Sequence, residues 1–189
     1  MVLMIKNQLD GTDKLRELIL YICVACDADP YFGSTKLNKL LFFSDFAFFG
    51  ATGRPISGAE YQKLENGPAP RIMKPLLDDM QERRELAIAD RDRDGLPQKR
   101  PVALREPNLA DFSAREIACT NERIIMYWMK SAKAMSRMSH NYILGWEPAE
   151  LHETIPYGIE LVDSRPLTAE EKSWAREIDV AEIQALMSA

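Results

Sequence analysis

The sequence predicts a helix-dominated α+β domain, with a central hydrophobic helix surrounded by helices and a small antiparallel sheet or β-hairpin. Three observations predict this fold class. The 189 residues are 46% hydrophobic and 28% charged, as in an ordinary globular domain. The stretch TKLNKLLFFSDFAFF, from Thr35 to Phe49, is too apolar for a surface helix. Short apolar segments bounded by glycine and proline predict a few strands around it.

The first predicted helix spans about Asp13–Asp27. Its apolar residues recur at the i, i+3, i+4, i+7 spacing of one helical face: Leu15, Leu18, Ile19, Ile22 and Cys26. The segment DPYFG, Asp29 to Gly33, contains proline and glycine and should end this helix. We therefore expect a first helix with one buried face.

The second predicted helix, Thr35–Phe49, is the spine of the fold, with Ser34 as its N-cap. Five of the chain's seven phenylalanines lie in this helix. Its polar stripe is narrow and consists of Asn38 and Asp45. A helix that is apolar almost all round is usually buried. One edge could still face a partner, and it is made of three phenylalanines: Phe42, Phe46 and Phe49.

A membrane role for this helix is excluded by its charges. Lys36, Lys39 and Asp45 interrupt it, and no run approaches the ~18 apolar residues that a membrane span needs. The apolar start Met1–Ile5 is too short for a signal peptide. Three cysteines without an export signal predict free thiols in a reducing cytoplasm. We expect a cytoplasmic protein.

The middle of the chain predicts one strand and a third helix. Glu60–Glu65 alternates enough for a short strand, and the glycine- and proline-rich segment 66–70 ends it. The third helix is expected over Ala69–Arg84, with an irregular first turn or a restart at Pro75.

The next segments predict a hairpin and a long helix. Leu86–Ala89 and Val102–Leu104 should pair as strands around a long polar loop. Ser113 and Glu116 have the spacing of a capping box, which predicts a helix running to about Met135.

Three segments complete the prediction. A shorter helix should follow Ser136, and Thr154–Val162 is predicted to be a strand. The T-x-x-E spacing of Thr168 and Glu171 caps a final helix.

The catalytic and metal-binding patterns are weak. Cys23 and Cys26 form a C-x-x-C near the C-terminal end of a predicted helix, where the helix dipole disfavours a thiolate, so we interpret them as core residues. His140 is interpreted as a structural or capping residue. A hydrolase that uses Ser139 and His140 is the least favoured alternative, because no nucleophile elbow or paired acid accompanies them.

A calcium loop is also rejected. Asp90, Asp92 and Asp94 imitate its start, but residue 101, its twelfth position, is proline rather than glutamate. We therefore expect no metal and no cofactor.

A DNA-binding regulator is the alternative of another class. The predicted order of helices, strand and hairpin over residues 13–105 is also that of a winged helix. Residues 83–105, the wing in that interpretation, carry seven basic and four acidic residues, including Arg91, Arg93 and Arg100. The net charge of the whole chain is -5, which makes nucleic acid an unlikely partner.

Three motifs occur in a familiar order: TKLNKLLFFSDFAFFGATGRPI, YQKLENGPAPRIM and SAKAMSRMSHNYILGW. Their succession resembles the Panacea domain of SocA-like bacterial antitoxins and their phage-associated relatives, from about Asp13 to Glu160. The resemblance implies a Panacea-like domain over residues 1–163, and the C-terminal helical extension predicted over 164–189 departs from the family pattern. The motif positions are expected to be mostly structural: Lys36, Leu37, Lys39, Leu40, Leu41, Gly53, Pro55, Gly67, Pro68, His140 and Trp146.

The resemblance also implies a function. Such proteins neutralise a co-encoded toxin by binding it directly, and the SocA-like branch acts as a proteolytic adaptor that delivers the toxin to an AAA+ protease. No catalytic residue is implied. We expect the partner surface on the hairpin 86–105, the tail helix 168–186 or the phenylalanine edge. The candidate contact residues are Phe42, Phe46, Phe49, Arg91, Arg93 and Arg100.

Overall fold

A computed structural model describes residues 12–158 of the chain apart from residues 94, 132 and 136–149. Helices dominate this part: α1 (Asp13–Ala25), α2 (Ser34–Thr52), α3 (Met73–Glu82) and α4 (Ala114–Tyr127). The strands are β1 (Tyr61–Leu64), β2 (Gly67–Pro70), β3 (Leu86–Arg93), β4 (Leu96–Ala103) and β5 (Thr154–Ile155). They form an antiparallel sheet of order β2-β1-β5 and a β3–β4 hairpin. The predicted helix-dominated α+β class is confirmed.

Helix α2 is the central element of the fold. It contacts α1, α4, β2 and β4. Its leucines Leu37, Leu40 and Leu41 are fully buried, as are the predicted core positions of α1. Burial on all sides explains why a polar protein contains so apolar a helix.

The start of α2 corrects the predicted cap. Ser34 is the first helical residue, and Gly33 occupies the N-cap position in an extended conformation, with no side-chain cap. The Ser34 hydroxyl instead donates a hydrogen bond of 3.1 Å to the carbonyl of Lys99 on β4. The helix ends at Thr52, three residues later than expected, because Gly53 adopts the left-handed conformation that terminates helices.

The segment after β1 was predicted to be a loop and a helix start, which is wrong. Gly67–Pro70 is a strand that pairs with β1, and α3 begins only at Met73. Pro68 and Pro70 fit because β2 is an edge strand, where a missing amide hydrogen can face away from the ladder. Pro75 lies in the first turn of α3, where its nitrogen has no helical acceptor, so there is no restart.

The hairpin is longer than the sequence predicted. Strands β3 and β4 extend through most of the polar segment, with Asp90 opposite Lys99 and Arg93 opposite Leu96. Gly95 in the tip has a positive φ of 79°. The predicted strand pair is present, but its outer halves were missed because they are exposed and no hydrophobic alternation marks them.

Helix α4 begins at the predicted capping box. The Ser113 hydroxyl accepts from the Glu116 amide, and the Glu116 carboxylate accepts from the Ser113 amide at 2.7 Å. The helix was expected to reach Met135 but ends at Tyr127, with Trp128 as its C-cap.

The last described segment contains β5, which begins at the predicted residue Thr154 and pairs with β1. Residues 159–162 of the predicted strand, the helix after Ser136 and the tail helix 168–186 lie outside the described residues. No helix in the part that the structure describes has the length and apolarity to cross a membrane.

Candidate partner-binding surface

A buried ion pair joins the start of α2 to the loop before it. Lys36 is 1% exposed and Asp29 is 0% exposed, and their Nζ and Oδ2 atoms lie 2.5 Å apart. The Asp29 carboxylate also accepts from the amides of Tyr31, at 2.9 Å, and Met129, at 3.4 Å. A buried pair is tolerated when further hydrogen bonds satisfy both ions.

The same lysine holds the end of α4. Lys36 Nζ donates to the carbonyl oxygens of Tyr127, at 2.8 Å, and Lys130, at 2.9 Å. Between them, Met129 has a φ of 58°, a left-handed conformation that is uncommon outside glycine. The Lys130 amide closes this turn by donating to the Tyr127 carbonyl at 3.1 Å. The turn is therefore fixed from inside the protein.

Apolar side chains at the end of α4 and in this turn are exposed to solvent. Ile125 is 74% exposed, Met126 47%, Trp128 37% and Met129 52%. These four residues, within five positions, are half of the large hydrophobic residues that are exposed in the described part of the chain. We call them the α4 apolar patch. Four large apolar side chains exposed within five positions are a candidate interaction surface.

A second buried lysine lies one turn further along α2. Lys39 is 0% exposed, and its Nζ has no hydrogen-bond partner among the described residues. Burial lowers the pKa of Lys39 to about 8. Its ammonium group lies against Gly67 of β2, where a Cβ would collide with it. Two of the sequence motifs therefore meet at Lys39 and Gly67.

The phenylalanine edge of α2 is mostly part of the core. Phe42 and Phe46 are both buried and stack with ring centroids 4.0 Å apart. Phe49 is half-buried, and the Tyr157 ring packs against it and against Phe46. Phe42 and Phe46 therefore present no surface to a partner in this structure, and only Phe49 remains partly accessible.

Asp45, in the polar stripe of α2, is fully buried. It accepts hydrogen bonds from the Ser57 amide and the Tyr61 hydroxyl, both at 2.7 Å, and from the Ser57 hydroxyl. Burial raises the pKa of Asp45, while these donors act in the opposite direction. The polar stripe therefore has an internal structural role. Asn38 lines a cavity of about 410 Å³ beside Gly67 and Pro68.

The hairpin arginines Arg91 and Arg100 differ in exposure and in their contacts. The Arg100 guanidinium packs near the Phe32 ring and donates to four carbonyls at the end of α1 and in the following turn, so its charge is used inside the fold. The assignment of Arg100 as a partner contact stays a prediction. Arg91 is exposed on β3. Arg93 lies on β3, but its side chain is outside the described part.

The remaining motif positions have turn or core roles where they are described. Gly53, with a φ of 73°, donates its amide to the Phe49 carbonyl at 2.7 Å. Pro55 is half-buried and Pro68 is buried in β2. His140 and Trp146 lie outside the described residues.

The cysteines fit their predicted core role. Cys23 and Cys26 are buried free thiols, and burial raises the pKa of both. A high pKa makes a thiol a poor nucleophile at neutral pH. Among the described residues there is no group of three side chains that could hold a metal ion.

Sequence reasoning missed the α4 apolar patch. The buried residues of α4 are Glu116, Thr120, Ile124 and Tyr127, at spacings of four, four and three. Ile125, Met126 and Met129 fall outside that face. Large apolar residues off the buried face of an amphipathic helix were the available signal.

Comparison with known proteins identifies a family. A family model described as the antitoxin SocA-like, Panacea domain matches residues 37–147, more than half of the chain. The matched range begins in α2 and includes α4 with its apolar patch. Searches of curated proteins and of solved structures found no match.

Proposed function

The chain belongs to the family of SocA-like antitoxins with a Panacea domain, and from this premise we propose that it neutralises a co-encoded toxin by direct protein–protein binding. The family match carries the proposal, because antitoxins of this class act on a toxin partner. The exposed α4 apolar patch supports it, since exposed apolar clusters serve protein contacts. In this proposal the protein acts in the cytoplasm, without a catalytic step of its own.

The proposal assigns neutralisation to the domain over residues 1–163 and treats residues 164–189 as a helical extension. Neutralisation can follow from binding alone or from delivery of the toxin to an AAA+ protease. These two modes differ in the amount of toxin that survives. A blocking antitoxin leaves the toxin level unchanged, whereas an adaptor lowers it only while the protease is present.

Co-expression with the neighbouring open reading frame is the decisive experiment. We expect the neighbour's product to arrest growth alone, and co-expression of this chain to restore growth. The two purified proteins should form a complex. Toxin levels after synthesis is blocked, with and without AAA+ proteases, separate blocking from delivery. A neighbour that is harmless alone and forms no complex with this chain would contradict the proposal.

The DNA-binding alternative receives no support from the hairpin. Arg100, one of its three key arginines, is bonded to backbone carbonyls inside the fold. Lys99 is paired with Asp90 at 2.6 Å. The basic excess of residues 83–105 is partly neutralised from outside the segment, because Arg105 pairs with Glu17 at 2.6 Å and Arg83 pairs with Asp79 at 2.9 Å.

A further inference from the structure

We infer that the toxin docks on the α4 apolar patch, and that it presents there an apolar anchor flanked by carboxylates. This inference rests on the proposed function and specifies its contact surface. The sequence pointed instead to the hairpin, the tail and the phenylalanine edge. The structure buries two residues of that edge and uses Arg100 internally, whereas the patch is exposed.

The composition of the patch suits the centre of an interface. Trp128, Met126 and Met129 belong to residue types that are enriched in interface cores and depleted on ordinary surfaces. Ile125 is the most exposed of the four side chains. Burying these residues against a partner removes apolar area from water, which is the main favourable term in association.

The patch is also pre-organised. Its turn is held by the hydrogen bonds from Lys36 to the carbonyls of Tyr127 and Lys130, and by the Met129 amide on Asp29. A fixed turn loses little conformational freedom on binding, so more of the contact energy contributes to affinity. The buried lysine of the first motif thus positions the partner surface without touching the partner.

Charges beside the patch define the partner's chemistry. Lys130 and Lys133 follow it without an ion pair among the described residues, whereas the exposed Glu122 before it is paired with Arg123 at 3.4 Å. Lys133 and Ser131 line a cavity of about 400 Å³ together with Lys99, whose charge is paired with Asp90 at 2.6 Å. No carboxylate is among its described lining residues. An acidic segment of the toxin fits this basic side of the patch.

Variants of exposed residues test the inference without disturbing the core. Ile125→Asp and Met129→Asp place a charge in the patch, while Leu104→Asp changes a comparably exposed leucine (54%) outside it. The probe is the purified product of the neighbouring open reading frame. We expect each patch variant to weaken binding about tenfold or more and to lose growth rescue. The control should bind within about twofold of wild type, as expected outside an interface.

A charge reversal tests the partner's chemistry. Lys133→Glu should weaken binding and reduce its dependence on salt, because rim charges act through long-range attraction. All variants should keep the wild-type circular dichroism and melting temperature, since the changed side chains are exposed. Unchanged salt dependence in this variant would contradict the acidic flank.

Three outcomes would overturn the docking inference. If the wild type binds and both patch variants bind equally well, the toxin uses another surface although the proposed function stands. If the variants convert a dimer to a monomer without affecting toxin binding, a second copy covers the patch. If the wild type itself does not bind, the proposed function fails, and the docking inference fails with it.

Discussion

The buried ammonium group of Lys39 packs directly against Gly67. A Cβ atom at position 67 would collide with Lys39 Nζ. The two residues belong to different motifs and to different elements, the central helix and an edge strand. Their contact explains why the sequence has glycine at this position. Gly67 also has a φ of 117°, which side-chain-bearing residues rarely adopt.

Gly67→Ala should therefore be strongly destabilising. The methyl group meets both the Lys39 ammonium and an unfavourable backbone conformation, and we expect a loss of roughly 3 kcal/mol in the free energy of unfolding. Urea denaturation measures this loss. Gly53→Ala is the matched control, because Gly53 has a positive φ but no neighbour near its Cβ position. It should cost about 1 kcal/mol.

A double-mutant cycle separates the collision from the backbone strain. In a Lys39→Ala background the ammonium group is absent, so Gly67→Ala should cost less than it does in the wild type. An equal cost in both backgrounds would show that the backbone conformation alone explains the effect.

Lys39→Met should stabilise the protein in a pH-dependent way. The pKa of Lys39 in the fold is about 8 against an ordinary value of 10.5, so holding the charge in the folded state costs about 3 kcal/mol below pH 8. Between pH 8 and 10.5 the folded chain releases this proton while the unfolded chain keeps it. The stability of the wild type therefore rises relative to the variant over this range.

Urea titrations of both proteins at pH 7 and pH 10 measure this effect, since the other titrating groups are common to both. The variant should be more stable at pH 7, and its advantage should shrink by pH 10. A difference that stays constant with pH would contradict a lowered pKa of Lys39 in the fold.

Lys36→Met should lower the free energy of unfolding, whereas Lys39→Met should raise it. Lys36→Met leaves Asp29 buried without its cation, which costs about 3–5 kcal/mol in buried pairs. The control is Lys74→Met, which removes the exposed Lys74–Asp78 pair and should change stability by less than about 0.5 kcal/mol. Chemical denaturation measures the loss of stability in both variants. Equal losses for Lys36→Met and Lys74→Met would contradict a structural role for Lys36.

Alanine substitutions at two arginines of the β3–β4 hairpin should lower the stability by different amounts. Arg100→Ala removes the guanidinium donor from four carbonyls, of which only those of Cys26 and Asp29 keep a backbone donor among the described residues, and should cost about 2–3 kcal/mol. Arg91→Ala, on the exposed outer part of β3, should stay within about 0.5 kcal/mol of wild type. Thermal melts of the two variants provide the comparison. Similar melting temperatures would contradict the internal role of Arg100.

The sequence predicted those features that depend on neighbours along the chain. The buried face of α1 follows from its helical spacing, and the capping box at Ser113 and Glu116 is a three-residue relationship. The central place of α2 follows from its lack of a polar face. Each of these signals is contained within one element.

The missed features depend on contacts between distant residues. Lys36 and Lys39 are charged, so their complete burial cannot be read from their type. Lys36 is stabilised by carbonyls more than ninety residues later, at Tyr127 and Lys130. The outer hairpin and β2 lack hydrophobic alternation, because one is exposed and the other contains two edge-strand prolines.

The residues of the turn after α4 do not determine its conformation by themselves. Its geometry is imposed by Lys36 and Asp29, which belong to a segment far upstream. A synthetic peptide of residues 114–131, or a graft of that segment into a foreign scaffold, would carry the four apolar side chains but lose the shape that displays them. Competitive inhibitors copied from this region would therefore need the turn locked by chemical means, such as cyclisation.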